Sequence, residues 1–73
     1  MSDRVIITRG TRGETVNGQP RPERVYITGP HFGTDVYSST EARENASPFR
    51  REEAERLLAD GYWQHHLPEI EDA

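Results

Sequence analysis

Three histidines, His31, His65 and His66, four serines at positions 2, 38, 39 and 47, nine arginines and thirteen carboxylates are the groups in this sequence able to do chemistry. Adjacent residues on a strand point to opposite faces, so His65 and His66 on such an element do not chelate one ion together. A metal site would need His31, one of that pair and a carboxylate, and no ligand spacing supports it. None of the serines sits in a GxSxG elbow, and no cysteine is present to act as a nucleophile. Gly10, Gly13 and Gly18 lack the spacing, and the following Lys-Ser/Thr, that would wrap backbone amides around a phosphate. A chain of 73 residues also has little room for a concave pocket of several hundred cubic ångströms. The expectation is a protein with no catalytic residues, no cofactor and no metal.

Recognition chemistry is better represented. Arg4, Arg9, Arg12, Arg21 and Arg24 make the first third of the chain a candidate nucleic-acid face, since guanidiniums on turns such as RGTRG are common phosphate contacts. Against this, residues 1–24 carry only +2, residues 25–73 carry −6, and the whole chain is −4, whereas a dedicated nucleic-acid binder is usually basic. The acidic half suggests carboxylates offered to a basic groove on another protein, with Glu52, Glu53 and Glu55 foremost. Their ordinary role is equally clear: Glu52 and Glu53 oppose the dipole at a helix start, and Glu52 to Arg56 is a favourable i,i+4 pair. Arg24, Tyr26 and Tyr37 alternate with apolar neighbours and fall on the open face of a sheet, and Tyr and Arg are residue types that dominate binding hot spots. Tyr62 and Trp63 divide between that kind of surface and the core.

Those side chains need a scaffold, and the stretch that organises it is Ser47 to Leu67. Ser47 suits a cap, Pro48 a first helical position and Gly61 the residue past the end, predicting a helix over about 48–60. Ala54, Leu57 and Leu58 share one face of that helix, which at about three turns is too short to stand alone and must lie on a sheet. Val5, Ile6 and Ile7 predict a strand over residues 3–9, and Glu14 to Val16 a short one running into Asn17-Gly18. Pro20 and Pro22 argue against paired continuation there and for an exposed loop or sheet edge. Arg24 to Thr28 alternates as a half-buried strand, pairing as an antiparallel hairpin with a strand over residues 34–38. Residues 38–46 read as a turn or irregular link, Phe49 as a plug at the helix entry, and Tyr62 to Leu67 as a last strand. The fold class is α+β in two layers, a three to five stranded, mostly antiparallel sheet with one helix across it.

Leu, Ile, Val and Phe together are thirteen residues, so the core is lean and dimerisation is one way to bury more apolar surface. Residues 1–68 are expected to be one domain and residues 69–73 an acidic tail that only Ile70 could anchor. No stretch approaches the ~18 apolar residues of a membrane span, and the apolar run near the start is too short for a signal peptide, so a cytoplasmic protein is expected.

Ala46, Phe49, Glu53 and Ala54, set between a strand hairpin and a helix, resemble a pattern in small α+β proteins of phages and mobile elements, over about residues 25–67. That group includes anti-CRISPR proteins and other anti-defence inhibitors, and the resemblance implies stoichiometric binding to a protein or complex. The sequence departs from it at Arg51, where a Ser or Thr cap is common, and in its QPRP loop. The expected function is a non-enzymatic protein-binding module, an inhibitor by that resemblance. A small nucleic-acid-binding accessory protein and an oligomeric structural or assembly subunit are the alternatives.

Overall fold

The structure, a computed structural model, describes residues 3–73. The β-branched run at Val5 forms the spine of the sheet, strand β1 (Arg4–Gly10). Val5 lies opposite both Phe49 and Asp72, and Thr8 opposite both Tyr26 and Glu69. A strand residue has one neighbour on each edge. The other strands of this sheet are β4 (Arg24–Thr28), β5 (Ser38–Thr40), β6 (Phe49–Arg50) and β7 (Glu69–Asp72). Strands β4 and β6 therefore share one edge of β1, β7 takes the other, and β5 extends the sheet beyond β4. The result is a five-stranded antiparallel sheet. A separate two-stranded hairpin, β2 (Thr15–Val16) and β3 (Gln19–Pro20), turns through Asn17 and Gly18 at φ 55° and 79°, the left-handed pair that a tight hairpin turn requires.

One helix, α1 (Arg51–Ala59), crosses one face of the sheet. Val5, Ile7 and Ile27 meet Phe49 and fully buried Ala54 there, with Leu57 and Leu58 packed at the margin. Helix α1 begins later than its cap signals predict. Ser47 Oγ instead accepts the Gly29 amide at 2.9 Å, while Phe49 and Arg50 stay extended to pair with β1. Arg50 occupies the cap position without a side-chain bond, and the Arg51 amide donates to the Asp3 carbonyl at 3.0 Å. The far end follows its signal. Gly61, at φ 93°, lets its own amide reach the Leu58 carbonyl and that of Tyr62 reach Leu57, both at 3.1 Å, the paired bonds that close a helix on a left-handed glycine.

Because side chains alternate along β1, Ile6 and Thr8 point away from the helix. Both are nevertheless buried. Two arginines reach across on this side, one of them bonded to Thr8. Arg24 on β4 donates from Nε and Nη2 to Thr8 Oγ1 (3.1 and 2.9 Å) and from Nη2 to the Leu67 carbonyl (2.7 Å). Arg43, in a 3-10 turn (Arg43–Asn45) beside β4, reaches the Asp72 carbonyl at 2.7 Å and lies 3.8 Å from Glu71, the residue opposite Ile6. Both guanidiniums thus reach the C-terminal strand, Arg24 at Glu69 (3.8 Å) and Arg43 at Glu71 and Asp72.

Several expectations are corrected. Residues 34–37 form a loop, and the strand pairing with β4 is Ser38–Thr40, so the hairpin is real but its second arm starts at the end of the expected segment. Pro20 is paired within the small hairpin, at an end where its missing N–H costs little. Residues 62–67 contain turns and a 3-10 helix (Gln64–His66), because Trp63 and Leu67 take left-handed backbone that no strand accommodates. His65 and His66 accordingly do not sit on a strand. Residues 69–72, expected as a tail, are β7, aligned with β1 from Val5 to Thr8. No helix among the described residues is long and apolar enough to cross a membrane.

Candidate functional site

The loop from Gly29 to Tyr37 carries the most exposed large apolar side chain among the described residues. The His31 amide donates to the Val36 carbonyl at 2.8 Å, and the Thr34 amide and hydroxyl both reach the His31 carbonyl, at 3.0 and 2.9 Å. The Val36 amide donates to Thr34 Oγ1 at 3.1 Å. These bonds close the loop on itself, and Phe32 at its tip is 104% exposed, with Val36 beside it at 57%. Gly29 is needed at the base. Its φ is +112°, and a Cβ there would meet the His31 amide, Tyr37 Cα and the Val36 carbonyl, each at 3.3 Å.

His31 Nε2 lies 2.7 Å from Ser38 Oγ, which ties the loop to a neighbouring cleft. The cleft, of about 220 Å³, is lined by Arg9, Tyr37, Ser38, Ser39, Trp63 and His66. Its aromatic wall is built by contact. Tyr37 meets Trp63 edge-on at 5.5 Å and Tyr62 edge-on at 5.7 Å, and Tyr62 and Trp63 are 5.3 Å apart. Tyr37 also touches the core through Phe49 at 6.1 Å. Burial, then the nearby Tyr62, Asp35 and Glu53 charges, hold the Tyr37 hydroxyl above its ordinary value, so the ring stays neutral. Trp63 keeps φ 57°, a conformation rare for a bulky residue and one that persists only where the surroundings enforce it.

The arginines expected to form a nucleic-acid face are largely committed within the chain. Arg12 donates to the His65 carbonyl and Arg24 to that of Leu67, so both pin the segment that forms one wall of the cleft. Arg21 faces Glu14 at 3.6 Å and Glu41 at 3.7 Å. Arg9 donates from Nη1 to the Gly10 carbonyl (2.9 Å) and to Glu14 (3.1 Å). Arg4 lies opposite Arg50 on the other half of β1, away from these four.

Of the expected partner-binding residues, Arg24 and Tyr26 do lie on the sheet face opposite α1, but Arg24 is spent as a strap. Tyr37 does not join them. It lies in the loop, outside the alternation of the strand, and packs on the helix side. Glu52, Glu53 and Glu55 are exposed on α1. Glu52 and Glu55 line a broad groove of about 610 Å³ with Asp3, Arg4, Arg50 and Arg51, in which positive and negative side chains are equal in number. The structure does not gather Arg24, Tyr26, Tyr37 and the helix acids into one surface. What it brings together in the cleft is Arg9, Tyr37, Trp63 and His66, with the Phe32 loop tied beside them through His31 and Ser38; of these Tyr37 was an expected partner contact and Arg9 an expected nucleic-acid contact. Phe32 carried one available signal, a large apolar residue amid turn formers in GPHFGTD. Among the described residues no three His, Asp or Glu are placed to hold a metal ion. No family model, curated protein or solved structure matches the chain.

Proposed function

We propose that this chain is a non-enzymatic protein-binding module that engages a folded protein by seating Phe32 in an apolar pocket of its partner. The observation that carries the reading is a fully exposed phenylalanine on a loop braced by its own hydrogen bonds. An aromatic held in place before contact loses little conformational freedom on binding, which is what makes such a residue an anchor. Stoichiometric inhibition in the cytoplasm, in the manner of anti-CRISPR and other phage anti-defence proteins, is the form of binding that the Ala46, Phe49, Glu53 and Ala54 pattern suggests.

The test is affinity purification of the tagged protein from lysate of its source cell, with and without nuclease, beside the Phe32→Ala variant. A nuclease-resistant protein recovered in fixed ratio, and lost or weakened about tenfold to a hundredfold by Phe32→Ala, supports the reading; burial of one such ring is worth ~1.5–3 kcal/mol. Recovery of nucleic acid that nuclease removes, or of the chain alone as a homo-oligomer, overturns it.

A further inference from the structure

Beside the Phe32 loop, the cleft leaves donors unused. The Nη1 atom of Arg9 donates to the Gly10 carbonyl and to Glu14, and its Nε and Nη2 edge has no partner among the described residues. That edge carries two parallel N–H groups, the fork that grips a carboxylate or phosphate through both oxygens. The side chain is only 12% exposed, yet neither nitrogen is both buried and unpartnered, so solvent reaches the fork. His66 also lines the cleft, and its Nδ1 is buried without a hydrogen-bond partner among the described residues. The Ser39 hydroxyl and the Tyr37 and Trp63 rings complete the lining.

We infer that this cleft receives a single carboxylate, from an aspartate or glutamate side chain of the protein partner whose pocket takes Phe32. The inference rests on the protein-binding reading and adds the second point of contact. Size and charge select the ligand. A volume of about 220 Å³ is below the ~300–1,000 Å³ of small-molecule sites and fits one side chain. Glu14, 3.1 Å from Nη1, lies beside the fork and repels a phosphate dianion about twice as strongly as a carboxylate monoanion, so it favours the monoanion. The His31 to Ser38 hydrogen bond fixes the loop against the cleft, so a partner presents an apolar pocket and an acidic side chain side by side.

The experiment is a titration of the isotope-labelled chain, followed by amide and side-chain N–H resonances, with N-acetylglutamate methylamide as a one-residue mimic. Inorganic phosphate and sodium chloride at matched ionic strength form the other arms. The expected result is saturable movement of the Trp63 indole, Arg9 Nε–H and Ser39 signals by the mimic at millimolar concentration. Arg9→Lys is expected to weaken it at least fivefold and Ser39→Ala to weaken it less, with both variants keeping the thermal midpoint of the parent. Tighter binding of phosphate than of the mimic, or movement no larger than with chloride, overturns the inference. So does partner capture that depends on Phe32 but is unchanged by Arg9→Lys, a result that leaves the protein-binding reading standing. Saturable binding of the mimic without any captured protein refutes that reading and assigns the cleft to a free carboxylate.

Discussion

Removing residues 69–73 tests the architecture at its most exposed joint. Strand β7 lies against the spine over Val5 to Thr8, and the Ala73 amide adds a bond to the Arg4 carbonyl at 3.2 Å. At ~0.5–1.5 kcal/mol net for each backbone bond, the ladder is worth about 2–4 kcal/mol. Half-buried Ile70 packs on the core and adds ~1 kcal/mol. The Arg51 to Asp72 pair is exposed and is given no weight. Truncation also takes away the Asp72 carbonyl and Glu71, the groups that Arg43 reaches. The loss of about 3–5 kcal/mol compares with a total of ~4–11 kcal/mol for 73 residues at ~0.05–0.15 kcal/mol each. The truncated chain is therefore expected to lose about half of its stability, with a urea midpoint far below that of the parent. Trp63, the sole tryptophan, sits against Tyr37 and Tyr62 and reports unfolding by its fluorescence in urea. Ile70→Ala provides a graded version, expected to lower the urea midpoint by about 1 M. A truncated chain with the parent's midpoint and slope would refute the assignment of residues 69–72 as an integral strand.

Other consequences can be measured on the same signal. Ala54 is fully buried against Val5, Ile7, Ile27 and Phe49, so Ala54→Leu should cost ~1–3 kcal/mol by overpacking, read as a lowered midpoint. Tyr37 titrates higher in the fold than its ordinary value of 10.0, so the folded chain holds that proton more tightly than the unfolded one. The associated stability is fully present below pH ~10 and is lost as pH rises through the folded value; Tyr37→Phe should flatten the fall of the midpoint above pH ~10, and an identical fall in both proteins would count against the packing of this half-buried ring. Gly29→Ala should disturb the Phe32 loop, weaken partner capture and cost more than ~1 kcal/mol of stability, because alanine takes φ +112° only with strain.

Much of the scaffold was legible because its signals are local. The Val5 to Ile7 run, the alternation of Arg24 to Thr28, the Asn17-Gly18 turn and the Gly61 stop each rest on residues within a few positions, and each element is present. The failures have a common cause. Glu69 to Asp72 alternates around a single apolar residue, too little for periodicity to register, and its place is set by β1, more than sixty positions earlier. Ser47 has two suitors, the helix start and the Gly29 amide, and only the packed chain decides between them. The tyrosine and tryptophan after the helix look like a strand by alternation, but ring contacts and left-handed backbone hold them as a turn.

The candidate surface was less legible than the fold. Arginine-rich segments announce a charged face, yet whether each guanidinium meets solvent or a carbonyl depends on contacts such as Arg12 to His65 and Arg24 to Leu67, which span most of the chain. Tyr37 was assigned to the wrong side of the sheet, since its register belongs to the loop. Phe32 was not singled out from the sequence, because exposure is a property of the closed loop and not of the residue.

The most direct test of partner binding through the Phe32 loop is photo-crosslinking with benzoylphenylalanine placed at position 32 and, in a second protein, at Glu55 on α1. A crosslink to one protein species from position 32, with little or none from position 55, is the predicted result. Crosslinks from position 55 alone would move the contact to the helix acids and contradict the account, as would the absence of a protein adduct from either position.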